Sequence, residues 1–110
     1  MVHLLPLPAG PVHSPGFDVV LERAERDALA LVEGGIREIL IENFGDAPFC
    51  GGTVAPHVVA MMAVVVQRIR CAVGEDVRLG VNVLRNDSRA ALAVAAAGNA
   101  GFIRVNVHTG

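Results

Sequence analysis

The sequence predicts an α/β protein in which four parallel strands alternate with three helices, as in the N-terminal half of a TIM (β/α)8 barrel. Two observations lead to this fold class. Four short segments rich in Val, Ile and Leu are separated by segments with helical periodicity. The strand segments also carry polar residues on one face, whereas strands covered by helices on both faces are apolar throughout.

The strands are predicted at residues 2–7, 38–44, 77–84 and 102–109, where aliphatic residues lie between turn signals. In the last two, apolar side chains alternate with Arg, Asn, Gly and His. In a barrel, the apolar positions face the outer helices and the others face the interior, where polar groups near the mouth can meet a ligand.

The helices are predicted at residues 17–33 and 56–73 and from Asp87 or Ser88 to about residue 97. The first has an apolar stripe and ends at Gly34-Gly35. The second is apolar nearly all round over residues 58–66, so we expect it to be buried on more than one side. The third is rich in Ala and ends at Gly98-Asn99.

Composition excludes several classes of protein. The 110 residues are 53% apolar and 18% charged, with a formal net charge of −2, which is unlike a disordered chain. A slightly acidic chain with four Phe and no Trp or Tyr is a poor candidate for binding nucleic acid. The longest apolar run has nine residues and no secretory signal precedes it, so we expect no transmembrane segment and a cytoplasmic location. Cys50 and Cys71 are expected to be packing residues, and His13 and His57, in or next to loops, to be solvated.

The chain looks shorter than its fold requires. Closing a (β/α)8 barrel takes about 250 residues, whereas this sequence ends after the fourth strand. We therefore interpret residues 1–110 as the truncated N-terminal part of a single barrel domain. Its first and fourth strands would be open edges, which a second copy of the chain or the missing half is expected to cover.

The candidate site residues lie where the strands end, because parallel α/β proteins bind ligands beyond the carboxyl ends of their strands. The candidates for acid–base catalysis are His3, Glu42 and His108. The candidates for substrate binding are Asn43, Asp46, Asn82, Arg85, Asn86, Arg104 and Asn106. Imidazole and carboxylate groups transfer protons, and Arg clamps anions, so the set suits a polar anionic substrate. The alternative is a structural ion pair between Arg104 and Glu42.

A metal site is a further alternative. His3, His108 and Glu42 are residue types that hold divalent metals. The sequence lacks the HxH and HExxH spacings, and the first and fourth strands are not neighbours, so a metal is not favoured and the cofactor stays unknown. Cys50 follows Phe49 and precedes Gly51-Gly52, which matches no nucleophile motif.

The segments MVHLLPLP, IENFGDAPF, GVNVLRNDSRAALA and FIRVNVHTG resemble the BtpA family, also called BtpA/SgcQ, over essentially the whole chain. The resemblance implies a barrel of the ribulose-phosphate-binding group and a rim shared at the candidate residues above and at Asp87. The family takes its name from a cyanobacterial protein associated with thylakoid membranes and needed for stable accumulation of photosystem I. Some relatives are labelled phosphoribosylanthranilate isomerase, and no family chemistry is settled. Relatives have bulkier or charged residues where this chain has Cys50-Gly51-Gly52.

Two functions are therefore expected. In the first, the protein binds a small anionic, phosphorylated metabolite at the rim of the strands and, if it is an enzyme, performs isomerase- or lyase-type acid–base chemistry. In the second, it is a non-catalytic assembly factor of the photosystem I type. Peripheral association with a membrane is implied by the resemblance alone.

Overall fold

The fold is an alternation of strands and helices. A computed structural model of the chain describes residues 1–5, 7, 14–43, 56–83, 88–98 and 100–104. The strands are β1 (Val2–His3), β2 (Glu38–Glu42), β3 (Arg78–Asn82) and β4 (Phe102–Ile103). The helices are α1 (Phe17–Glu33), α2 (Pro56–Val73) and α3 (Ser88–Gly98). The predicted α/β alternation of four strands and three helices is confirmed.

The strands form one sheet in the order β1-β2-β3-β4, and each neighbouring pair is parallel. A doubly wound sheet instead reverses its strand order at a switch point. When the order runs in one direction and every crossover is right-handed, all the helices lie on the same side of the sheet. The arrangement of the described residues therefore fits half of a barrel.

The core lies between the sheet and the helix layer, in which α2 packs between α1 and α3. Alternate residues of the central strands are fully buried, among them Ile39, Ile41, Leu79 and Val81. The second helix buries a stripe with spacings of three and four residues, made of Val58, Met62, Val65, Val66 and Ile69. The apolar face predicted for the third strand is thus the face that meets the helices.

Local signals set the helix ends. The bounds of α1 and α2 are those predicted, and α3 extends one residue further, to Gly98. Gly35 and Gly74 follow the first two helices with φ of 95° and 84°, a left-handed conformation that Gly adopts without strain. Arg70 Nη1 donates hydrogen bonds to the carbonyl oxygens of Gly74 and Val77 at 2.9 and 2.6 Å, which joins the end of α2 to the start of β3.

The strands are shorter than predicted. Pairing in β1 covers residues 2–3 rather than 2–7, and β2 and β3 stop at Glu42 and Asn82. The hydrogen bond from Leu4 N to Glu42 O, at 2.9 Å, continues the contact between β1 and β2 past His3. Apolar composition overestimated the length of β1, because Leu4 and Leu7 are buried without lying in a strand. Of the predicted fourth strand, residues 105–109 lie outside the described ones.

One expectation about α2 is wrong, because Cys71 is exposed rather than packed in the core. The helix packs against both α1 and α3, whereas Val64 is 48% exposed. Both residues lie on the side of α2 opposite its buried stripe, as the rotation of 100° per residue requires. Hydrophobic composition does not reveal which side of a helix meets its neighbours. Cys50 lies outside the described residues.

Within the described part of the chain, α2 is the one helix long and apolar enough to cross a membrane by length and composition. The criterion is met over 18 residues although the longest uninterrupted apolar run has nine. A third of this segment is buried inside the protein, where α2 packs against α1 and α3. Core helices of α/β proteins share this composition, so the finding is weak evidence for a membrane span.

Candidate functional site

Four polar residues lie side by side across the sheet, one from each strand or its end. His3 is in register with Glu42, and Glu42 is in register with Asn82. The pairing of Val81 with Ile103 brings the next residues, Asn82 and Arg104, alongside each other. We call His3, Glu42, Asn82 and Arg104 the polar row. It alternates with residues that face the helices, so it lies on the opposite face of the sheet.

The middle of the polar row is buried. Glu42 is 5% exposed and Asn82 is 1% exposed, whereas half of the Arg104 side chain is in contact with solvent. Arg104 Nη1 approaches Glu42 Oε1 to 3.8 Å, so its side chain spans β3 from β4 to β2. At this separation the charges attract without a direct hydrogen bond. The ion pair offered as the alternative to a site is therefore present, and it is loose.

The ends of the polar row differ from its middle. His3 is exposed at the β1 edge, and its Nε2 lies 2.7 Å from Met1 Sδ. Arg104 follows β4 at the opposite edge. Adjacent strands are about 4.8 Å apart, so the row extends over about 14 Å.

Asparagine side chains supply the other buried polar groups of the site. Asn82 Oδ1 is buried and has no hydrogen-bond partner among the described residues. Asn43 is 2% exposed and lies one residue past β2, next to the polar row rather than in it. Because β2 ends at Glu42, the polar row contains Glu42 but not Asn43.

A pocket of about 620 Å³ opens on the same face of the sheet, toward the amino ends of the strands. It is lined by Met1, Glu38, Leu40, Phe102, Ile103 and Arg104. The Phe102 ring lies over Gly80, and the Arg78 guanidinium carbon is 4.7 Å from the centre of that ring. Arg104 thus belongs to both the pocket and the polar row. Phe102 and Arg78 lie on the amino-terminal side of the row.

Half of the predicted site residues can be placed. His3, Glu42, Asn82 and Arg104 form the polar row, and Asn43 lies beside it. The others, Asp46, Arg85, Asn86, Asn106 and His108, lie outside the described residues, as do Asp87 and His13. Their assignment to the site stays a prediction, because these residues are not among the described ones.

One polar group was missed by the sequence analysis. His57, in the first turn of α2, was expected to be solvated, but its Nε2 is buried and lacks a hydrogen-bond partner among the described residues. No motif or spacing in the sequence singles out His57, because its burial depends on tertiary contacts.

A metal centre was the other reading of these residues. In the part of the chain that the structure describes, no group of three or more His, Cys, Asp or Glu side chains could hold a metal ion. His108, which the metal alternative requires, lies outside that part.

Comparison with known proteins decides the family. The BtpA family profile matches residues 1–110, that is, the whole sequence. The chain belongs to the BtpA family. A photosystem I biogenesis protein, BtpA, of Synechocystis is 49% identical to it over 110 residues. Uncharacterised proteins of Archaeoglobus fulgidus and Thermococcus kodakarensis are each 49% identical, over 108 and 110 residues.

These relatives are longer than the chain. The alignments cover 100, 96 and 100% of it but 38, 42 and 41% of the respective relatives, so the chain spans about two fifths of their length. No solved structure matches the sequence. The BtpA family resemblance inferred from the four sequence segments is therefore confirmed, and it extends to archaeal proteins.

Proposed function

We propose that the polar row is part of a binding site for a small anionic, phosphorylated metabolite at the mouth of a (β/α)8 barrel. The single observation that supports this most strongly is the alignment of His3, Glu42, Asn82 and Arg104 across all four strands. Burial of the Glu42 carboxylate and the Asn82 amide beside the half-exposed Arg104 guanidinium destabilises the folded protein. Destabilising groups of this kind are typical of functional sites. Such an arrangement at the carboxyl ends of parallel strands is typical of ligand sites.

In this proposal the two members of the loose ion pair, Arg104 and Glu42, have different roles. Arg104, together with Arg85, clamps the anion through charge-assisted hydrogen bonds. Glu42 or His108 acts as the acid or base of an isomerase- or lyase-type proton transfer, with His3 at the edge of the row. The amides of Asn82, Asn43, Asn86 and Asn106 and the carboxylate of Asp46 orient the substrate. The distance of 3.8 Å leaves Arg104 able to turn from Glu42 to an incoming anion.

Binding of inorganic phosphate and of glycerol 3-phosphate to the full chain tests the proposal by titration calorimetry. We expect Arg104→Gln to weaken binding of both anions about tenfold or more, because a hydrogen bond to a charged group contributes about 1.5–3 kcal/mol. Arg78→Gln is the matched control. It removes the same charge from the same face of the sheet, but at the amino ends of the strands, where Arg78 contacts Glu38 and Phe102.

Arg78→Gln should leave the affinity for both anions unchanged. If the two substitutions weaken binding equally, the anions respond to overall charge and the site is not at the polar row. If the unsubstituted protein binds neither anion, the proposal is wrong.

An assembly role is a second candidate, and it is favoured by one observation, the 49% identity with the photosystem I biogenesis protein of Synechocystis. We propose that in this case the barrel serves as an interaction surface and that the polar row is structural. A Synechocystis strain lacking its own protein, complemented with a chimera that carries this chain, separates the candidates. Photosystem I that accumulates equally with the Glu42→Gln/Arg104→Gln chimera would support assembly, whereas lost accumulation with a folded chimera would support ligand binding.

A further inference from the structure

Asn82 holds the most deeply buried polar side chain of the polar row. It is 1% exposed, and its Oδ1 accepts no hydrogen bond from the described residues. Buried polar atoms in folded proteins are nearly always satisfied, because an amide oxygen that loses water without gaining a donor destabilises the protein. The position of this oxygen is therefore informative about what the site receives.

The chemistry of the missing partner follows from the atom. A side-chain carbonyl oxygen accepts hydrogen bonds and donates none, so its partner must carry an O–H or N–H group. The neighbours of Asn82 in the polar row define the rest of that molecule. Arg104 on one side attracts an anionic group, and Glu42 on the other repels one. Each neighbour is about 4.8 Å away along the row, which is the spacing of adjacent strands.

We propose that Asn82 is a specificity-determining residue whose Oδ1 accepts a hydrogen bond from a hydroxyl group of the bound anion. The site then selects anions that carry a hydroxyl a few bonds from the charged group over equally charged anions that lack one. This inference rests on the proposed function, since it requires that Arg104 binds the anionic group. A bound anion that places an alkyl group at Asn82 would leave Oδ1 without a hydrogen-bond donor. The free energy lost in this way is the source of the selectivity.

Two probes of equal charge test the inference, glycerol 3-phosphate and propyl phosphate, which differ by the hydroxyl groups of the first. For the unsubstituted full chain we expect glycerol 3-phosphate to bind about three- to tenfold more tightly, the range of one neutral hydrogen bond. Asn82→Leu, which keeps the approximate shape and removes the acceptor, should bring the ratio of the two affinities close to one. Asn82→Asp keeps an acceptor oxygen in the same place and should preserve the preference, although its charge weakens binding of both probes.

Any of three results would overturn the inference: equal binding of both probes by the unsubstituted protein, a preference that Asn82→Leu retains, or no binding of either probe. The first two leave anion binding by Arg104 standing, whereas the third also overturns the proposed function. Thermal unfolding of each variant shows whether it is folded, and Asn82→Ala replaces Asn82→Leu if the larger side chain prevents folding. The comparison of the two probes on the unsubstituted protein needs no variant.

Discussion

The ring of Phe102 on β4 lies over Gly80 on β3, in the space that a side chain at position 80 would fill. The two residues are partners in the parallel ladder, and Arg78 stacks on the same ring from its own strand. An aromatic ring over a strand glycine buries apolar area where the glycine alone would leave a gap. The contact joins the short edge strand β4 to the centre of the sheet. It lies two residues before Asn82 and Arg104 of the polar row.

Gly80→Ala should therefore destabilise the protein. The new methyl group would overlap with the Phe102 ring, and overpacking of this kind costs about 1–3 kcal/mol. The matched control is Gly101→Ala, where the nearest atoms to a Cβ lie at an ordinary 3.9 Å, and we expect a change within about 0.5 kcal/mol. Urea unfolding followed by circular dichroism measures both. In a Phe102→Ala background the effect of Gly80→Ala should disappear, and a cost that persists there would show that the ring is not its cause.

The two adjacent methionines of α2 should respond differently to truncation. Met62 is fully buried in the core, so Met62→Ala should cost about 2–5 kcal/mol, whereas Met61 lies at the edge of the buried stripe and should cost less when truncated. Chemical unfolding of the two variants measures the difference. Equal effects would contradict the packing of α2 into the core through the stripe that contains Met62.

Arg70 should contribute more to stability than its neighbour Arg68. Arg70 Nη1 donates to two carbonyl oxygens beyond the end of α2, at 2.9 and 2.6 Å. Replacing it with Met keeps the apolar stem and removes these bonds, which should cost about 1.5–3 kcal/mol. Arg68→Met removes an exposed ion pair with Glu25, at 2.8 Å, and should cost about 0–1 kcal/mol. The same unfolding measurement compares them, and a larger loss for Arg68→Met would contradict the role of Arg70 in joining α2 to β3.

The bounds of α1 and α2 could be predicted because the signals that set them are local. Apolar residues recur every three or four positions, Pro56 suits a first turn, and Gly34-Gly35 and Gly74 follow the two helices as end signals. The polar face of β3 was predicted for a similar reason, since alternation in a strand depends on the pleat alone. Family membership was recognised from four ordered sequence segments.

Other features depend on contacts between distant parts of the chain. Strand length is decided by which residues find a partner, so Leu4 and Leu7 are buried outside β1 although their composition suits a strand. The exposure of Cys71 depends on the rotation of α2 against the sheet, and the burial of His57 Nε2 on what packs beside the first turn. None of these leaves a periodic pattern in the sequence.

The amino-acid sequence by itself determined the order of the elements, the face of β3 that carries polar groups, and the family. Only the tertiary structure decided that His3, Glu42, Asn82 and Arg104 stand in one row, that Arg104 spans β3 to reach Glu42, and that Asn82 Oδ1 is left without a donor among the described residues. The physical reason is that periodicity is a property of one segment. Register, ion pairing and hydrogen-bond satisfaction are properties of two or more segments brought together.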